Sequence, residues 1–328
     1  MNKPTIGAST RVVGIVLALS NILSFSLGVT IAGRFVVQRI ERSRRPAQPL
    51  AAAAGLSGAL FGEHAAPKNP LPIEGKGMWI WQFDKIAGGD PHRIVRAAVS
   101  RGLTHIYVRA GSSVAGLSGW KSITRILPIA HRAGLKVIAW DFPYLHSPSR
   151  DVRRARFVLN HTVKGHRVDG FAADVETRSE GTVLTRKRAR DYARGLRNAL
   201  PGRFLVLVPP RPNKFTLSFY PYDLLMPYFD AVAPMIYWGR QKPDQVAAQA
   251  MAYLKRYGKP VAPIGQSFDM GPEGGPKGAP KGRALVRFMN EARGKGAVGV
   301  SFWSWQHTPA RLWHTIYTYR WPAGRSSG

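Results

Sequence analysis

The segment Asp169-Gly-Phe-Ala-Ala-Asp174-Val-Glu176 carries two carboxyl groups two residues apart. In an extended strand alternate side chains share a face, so Asp174 and Glu176 would lie on one side, roughly 6.6 Å apart along the backbone. Ala172 shares that face, whereas Phe171, Ala173 and Val175 form an opposite, wholly apolar one. Two carboxyls held together suit general acid–base chemistry, because each raises the pKa of the other and burial raises both. A structural pair neutralised by Arg109 or Arg178 is the plainer alternative. Only 15 acidic residues follow residue 75, and two of them at one strand end favour chemistry.

Other candidate strand ends supply groups that would surround such a pair. One reads Ala139-Trp140-Asp141, with Asp141 a third carboxylate. Another reads Met235-Ile-Tyr237-Trp238, with Met235 and Tyr237 on one face. A third reads Ser301-Phe-Trp303-Ser-Trp305, and the first strand candidate carries Trp79 and Trp81. Aromatic faces stack on the C–H faces of sugars, and Tyr and Trp add a donor. Singly each of these rings suits a core; together around a carboxylate pair they suit a glycan cleft. Asp141, Trp81, Arg109, Met235, Trp303 and Trp305 are therefore the candidate substrate-binding residues. The nine histidines show no H-E-x-x-H spacing, and neither a P-loop nor a dinucleotide fingerprint occurs, so no metal or cofactor is expected.

The elements that must position these groups read as alternating strands and helices from Gly77 onward. Strand candidates are Met78–Phe83, Thr104–Ala110, Lys136–Phe142, Gly170–Glu176, Phe204–Pro209, Ala231–Trp238, Pro260–Phe268 and Ala297–Trp305. Amphipathic stretches lie between them, including Asp90–Arg101, Ile123–Ala133, Pro148–Lys164, Val183–Ala199, Pro243–Tyr257, Arg283–Gly294 and Pro309–Tyr317. Eight such units in about 250 residues predict an α/β fold of the (β/α)8 TIM-barrel type, whose chemistry sits at the C-terminal strand ends. A doubly wound open sheet is the alternative. Gly271–Gly282, rich in Gly and Pro, predicts a flexible loop after the seventh strand.

Asp169 to Glu176 resembles the Asp-Gly-x-x-x-Asp-x-Glu signature of family-18 glycoside hydrolases, the chitinase group. Met235-Ile-Tyr237 is similar to that family's Met-x-Tyr, and Trp303 or Trp305 to its tryptophan at the end of strand eight. The chain departs from the pattern at Ala172, where the family usually has Asp or Asn. Asp174-Val-Glu176 and Trp79-Ile-Trp-Gln-Phe83 also resemble family-25 lysozymes, the second candidate. Either resemblance implies a polysaccharide containing N-acetylhexosamine, chitin-like or peptidoglycan. The family-18 resemblance implies Glu176 as general acid and the substrate's own 2-acetamido oxygen as nucleophile. Asp174 would orient the acetamide, Tyr237 would donate to its carbonyl, and a tryptophan would floor the sugar. In the family pattern an acid at position 172 can share a proton with the next inward acid; Ala172 cannot, so Asp174 is expected to stay ionised and Glu176 to hold its proton because of it. A glycosidase using Asp141 with Glu176 on a sugar without acetamide, and an inactive glycan-binding barrel, are the alternatives.

The 328 residues include 48 Lys and Arg against 18 Asp and Glu, a formal charge of +30, and no cysteine. Lack of cysteine excludes disulfide frameworks and thiol nucleophiles. Residues 76–328 hold +25 of that charge, which suits an anionic wall polymer or lipid surface. No nucleic-acid-binding motif accompanies it, so no nucleic-acid partner is expected. Val12–Gly33 is a run of 22 uncharged residues. At about 1.5 Å per residue it would span roughly 33 Å as a helix, enough for a bilayer core. It reads as a single-pass anchor rather than a signal peptide, since the nearest Ala-x-Ala site lies near Ala51–Ala54. The chain thus divides into a tail (1–11), a transmembrane anchor (12–33), a basic then Ala-, Pro- and Gly-rich linker (34–76), the barrel (77–320) and a tail (321–328). Arg34, Arg39, Arg42, Arg44 and Arg45 after the span would hold the barrel in the cytoplasm by the positive-inside rule. The expected function places it outside the cell membrane, against that charge distribution.

Overall fold

The computed structural model describes residues 70–322. The expected anchor Val12–Gly33 lies outside the described residues. Among the described residues no helix is long and apolar enough to cross a membrane.

Nine strands form one parallel sheet: β1 (Gly75–Ile80), β2 (His105–Ser112), β3 (Lys136–Phe142), β4 (Gly170–Asp174), β5 (Leu205–Val208), β6 (Ala231–Val232), β7 (Met235–Ile236), β8 (Ile264–Gln266) and β9 (Gly299–Trp303). Their order is β6-β5-β4-β3-β2-β1-β9-β8-β7, so the first strand pairs with the last. The two edges of this order are neighbours in the chain, separated by Ala233 and Pro234. Proline has no N–H to give the ladder, so the sixth strand expected at Ala231–Trp238 splits into β6 and β7. The segment is nevertheless bonded on both sides. Ala233 and Met235 donate to the carbonyls of Leu207 and Pro209 at 2.8 and 3.0 Å. On the other side Val232 donates to Pro260 at 3.0 Å, and Ile264 donates to Pro234 at 2.9 Å. The sheet curls until its edges meet in this segment, in keeping with the expected barrel and not with an open doubly wound sheet.

The connecting helices are α1 (Pro91–Ser100), α2 (Trp120–Arg132), α3 (Pro148–Asn160), α4 (Arg186–Ala199), α5 (Tyr222–Leu225), α6 (Pro243–Leu254), α7 (Gly282–Gly294) and α8 (Ala310–Thr318). α1 begins where Asp90 accepts from the N–H groups of His92 and Arg93 at 2.8 and 3.2 Å, with Pro91 preset for the first turn. Strand alternation divides the buried residues into two cores. Val108, Ala139, Phe171, Ala173 and Phe302 join the layer between sheet and helices. Trp79, Tyr107, Trp140, Ala172, Val206 and Ile264 fill the inside of the curl. The alternation expected for strand four therefore holds, with Ala172 inward and Phe171 and Ala173 outward.

The first strand is tied to the last helix by a cation. The buried Lys76 amine donates to the carbonyls of Ile316, Tyr317 and Tyr319 at 2.6, 3.3 and 2.9 Å, capping the C-terminal end of α8. Burial, helped by Arg320, pushes this amine down to about 8. Lys76→Met keeps the stem and leaves the carbonyls bare, so it is expected to cost about 1–2 kcal/mol. A fall in the urea midpoint without a change of slope would register it; an unchanged midpoint would mean that water replaces the amine.

Candidate active site

A cavity of about 330 Å³ opens at the C-terminal ends of the strands. Its floor is aromatic. Trp79, Trp140 and Trp303 meet with ring centroids 5.6 to 6.0 Å apart, and Trp81 lies over Trp303 at 6.4 Å. These rings are fixed by their donors: Trp79 Nε1 donates to Ser301 Oγ at 2.9 Å, and Trp140 Nε1 to the Ile80 carbonyl at 3.1 Å. Trp79 also stacks on Tyr107 at 4.1 Å with planes 3° apart. The indole faces are therefore preset rather than free to collapse.

The carboxyl pair stands at the rim of this floor. Asp174 closes β4 opposite Val208 and is buried, with Oδ1 lacking any hydrogen-bond partner. Glu176 follows the strand end and keeps part of its surface in the cavity. Tyr237, packed edge-on against Phe268 at 5.2 Å, lines the same space, as do Met235, Trp81, Arg109 and Trp303. The cavity thus brings together seven of the nine residues singled out from the sequence.

The other two lie elsewhere. Asp141 was expected in the substrate site, but it shares the outward face of Val137 and Ala139. There Arg154 of α3 clamps it through Nε at 2.9 Å and Nη2 at 2.6 Å, and the same Nη2 reaches Asp151 at 2.9 Å. Trp140, its neighbour in sequence, takes the inward place. Trp305 was paired with Trp303 by strand alternation, but β9 ends at Trp303. Trp305 begins a short turn of helix and packs against Trp313 of α8 at 4.8 Å. Asp169, the first acid of the segment, also serves the scaffold. It accepts from His131 Nε2 and the Val137 N–H at 2.8 Å each, and pairs with Lys136 at 3.2 Å.

Two cavity acids were not singled out from the sequence. Glu180 lies on the loop after β4, and Glu273 on the loop after β8. Glu273 belongs to the segment expected to be a flexible loop; a short helical turn, Gly271–Glu273, begins it. Strand periodicity gives no signal for either residue. The scarcity of acids, which drew attention to Asp174 and Glu176, applied equally to them.

The electrostatics of this cluster follow from burial among like charges. Burial pushes Asp174 up to about 8, with Glu180 adding, Arg109 opposing and Asp141 adding again. Glu176 is raised well above the ordinary carboxyl range by burial, then by Asp174 and Glu180. Glu273 is raised to about 7 by burial and Glu180. The expectation that Asp174 stays ionised is therefore not met: burial and its neighbours raise Asp174 as well as Glu176. The pair holds at least one proton at neutral pH, because two buried carboxylates side by side cannot both ionise cheaply. Arg109 is the nearby counter-charge; its guanidinium stands 5.6 Å over Trp140 and its Nε has no partner. Tyr237 is held neutral by burial and the adjacent acids, so it can only act as a hydroxyl donor or acceptor here.

Among the described residues no group of three or more His, Cys, Asp or Glu is placed to hold a metal ion. What the arrangement offers is a protonated carboxyl, a second carboxyl beside it, a neutral phenol and an aromatic floor.

No family model matches the sequence, and no curated protein matches it. Solved structures do match. A GH18 chitinase from Pseudoalteromonas aurantia is 14% identical, with a TM-score of 0.53 over 71% of this chain and 94% of that one. Active domain 2 of a chitinase from Pyrococcus furiosus is 13% identical, with a TM-score of 0.55 over 77% and 99%. The spore cortex-lytic enzyme of Bacillus cereus is 13% identical, with a TM-score of 0.54 over 74% and 73%. At these identities the likeness shows a shared fold: a curled parallel α/β sheet of the kind these glycoside hydrolases use.

Proposed function

We propose that this chain is a membrane-anchored glycoside hydrolase that cleaves a polysaccharide containing N-acetylhexosamine. The observation that carries the proposal is that the carboxyls of Asp174 and Glu176 line one tryptophan-floored cavity at the end of β4, Asp174 buried and Glu176 partly open to it. Glu176, partly open to the cavity, protonates the leaving glycosidic oxygen. The acetamido oxygen of the same sugar attacks the anomeric carbon, with Asp174 receiving the acetamide N–H and Tyr237 donating to its carbonyl. Trp303 supports the sugar ring from below, with Trp81 beside it, and the buried Trp79 and Trp140 pack against Trp303 and hold it. The fold likeness to chitinases supports this reading, as does the resemblance of the strand-four segment. Val12–Gly33 is the proposed anchor, with the barrel outside the membrane and its +25 charge turned to anionic wall polymers or lipids.

A two-carboxylate reading built on Asp141 loses its acid to the Arg154 clamp. The full-length protein in detergent should release products from chitin oligomers or from peptidoglycan, and the first-formed product should retain its anomeric configuration. An inverted product would overturn internal attack, because water would then have entered from the opposite face. Binding without any product would favour an inactive glycan-binding barrel, in keeping with Ala172.

A further inference from the structure

The acids of the cavity are accompanied by cations that none of them neutralises. Arg211 and Arg240 line it from consecutive loops, after β5 and after β7. Arg211 is half-buried, and burial lowers its pKa. No carboxylate among the described residues forms an ion pair with it. The cavity is thus lined by acids and by two arginines with which no carboxylate among the described residues pairs.

The Arg211 side chain is tethered to the neighbouring loop and its backbone is fixed in a bonded turn. Its Nη1 donates to Gln241 Oε1 at 2.8 Å, and the Gln241 N–H is itself bonded to the Trp238 carbonyl at 2.8 Å. Its backbone carbonyl accepts from Thr216 Oγ1 at 2.8 Å, and the preceding Pro210 carbonyl accepts from the Tyr222 hydroxyl at 2.9 Å. Asn213 closes the turn by accepting from the N–H groups of Phe215 and Thr216 at 2.9 and 3.1 Å. A guanidinium partly desolvated without a carboxylate is costly, and its remaining donors match a planar anion.

We propose that Arg211, with Arg240 lining the same cavity, is the specificity-determining subsite for a carboxylate carried by the glycan, so that the substrate is an acidic rather than a neutral polysaccharide. The inference rests on the glycan reading given above, and it adds the charge of the substrate. Two sources present the same chemistry: an ether-linked lactyl acid on an amino sugar, and a uronic acid. The overall charge of the domain would attract either, but weakly and without regard to the position of the acid group. Arg211→Ala removes one charge of many, whereas Arg211→Lys keeps the charge and loses the fork, so the two variants separate field from fit.

The experiment measures equilibrium binding of the full-length protein in detergent to three oligosaccharides of equal length. They are a neutral chitin oligomer, a peptide-free peptidoglycan strand and a polyuronate. The parent protein should prefer at least one acidic oligomer over chitin by about tenfold or more, the scale of a charge-assisted hydrogen bond. Arg211→Ala should bring that ratio to within about twofold, and Arg211→Lys should leave it in between. Equal binding of all three by the parent overturns the proposal, as does an acidic preference that survives Arg211→Ala. Hydrolysis is scored separately: an Arg211-dependent preference without turnover would refute the hydrolase and keep the acidic subsite, while turnover without preference would do the reverse.

Discussion

Glu176→Gln is expected to lower turnover at least ~10²-fold, the scale of a lost general acid, while glycan binding persists. The substitution preserves shape and leaves the aromatic floor untouched, so binding and chemistry separate. Glu176 is suited to the role because it stands just beyond the end of β4 in the cavity, where burial and then Asp174 hold its proton. Glu180 and Glu273 are the competing acids. Both line the cavity, but from later turns, Arg178–Glu180 and Gly271–Glu273, whereas Glu176 stands two residues from Asp174 at the end of β4. Near-normal turnover in Glu176→Gln would remove Glu176 as the acid and direct the same substitution to Glu180 and Glu273.

The part of this site written on the strands was legible in the sequence; the part written on the loops was not. Period-2 alternation placed Ala172 and Asp174 inward; the two cores confirm the parity of Ala172 against Phe171 and Ala173, and Asp174 lines the cavity. The same rule applied to the third strand would have excluded Asp141. Trp140 and Asp141 are adjacent, only one can face in, and the bulky apolar ring takes that place while Arg154 waits under the sheet for the acid. Trp305 was misplaced for a different reason: alternation was extended two residues past the end of β9. The break in the sixth strand was foreseeable from Pro234, since its ladder bond is missing whatever the fold. Glu180, Glu273 and Arg211 come from loops, whose courses depend on contacts such as Thr216 with the Arg211 carbonyl. No periodicity encodes those contacts, so the charge pattern of the cavity emerged only in three dimensions.

Asp174→Asn is expected to lower the rate by about 10²-fold, the scale of a lost preorganised electrostatic contact, and to move the alkaline limb of the pH–rate profile downward. The sign follows from the causes of the shift. Glu176 is raised by burial first, then by the negative charge of Asp174, then by that of Glu180. A general acid works while protonated, so the alkaline limb reports the loss of the proton that the pair holds. Asparagine cannot carry the charge, so Glu176 gives up its proton at a lower pH. The limb should not fall to the ordinary carboxyl range, because burial and Glu180 remain. Glu180→Gln offers a graded comparison. It removes a smaller contribution to Glu176 and also relieves Asp174, for which Glu180 is the main charged neighbour. Its downward shift should therefore be smaller, and its rate closer to that of the parent protein. A parent-like rate and profile in Asp174→Asn would mean that the two carboxyls are not coupled. Internal attack by the acetamide would then lose its orienting group, and an inactive glycan-binding barrel would become the better reading of the cavity.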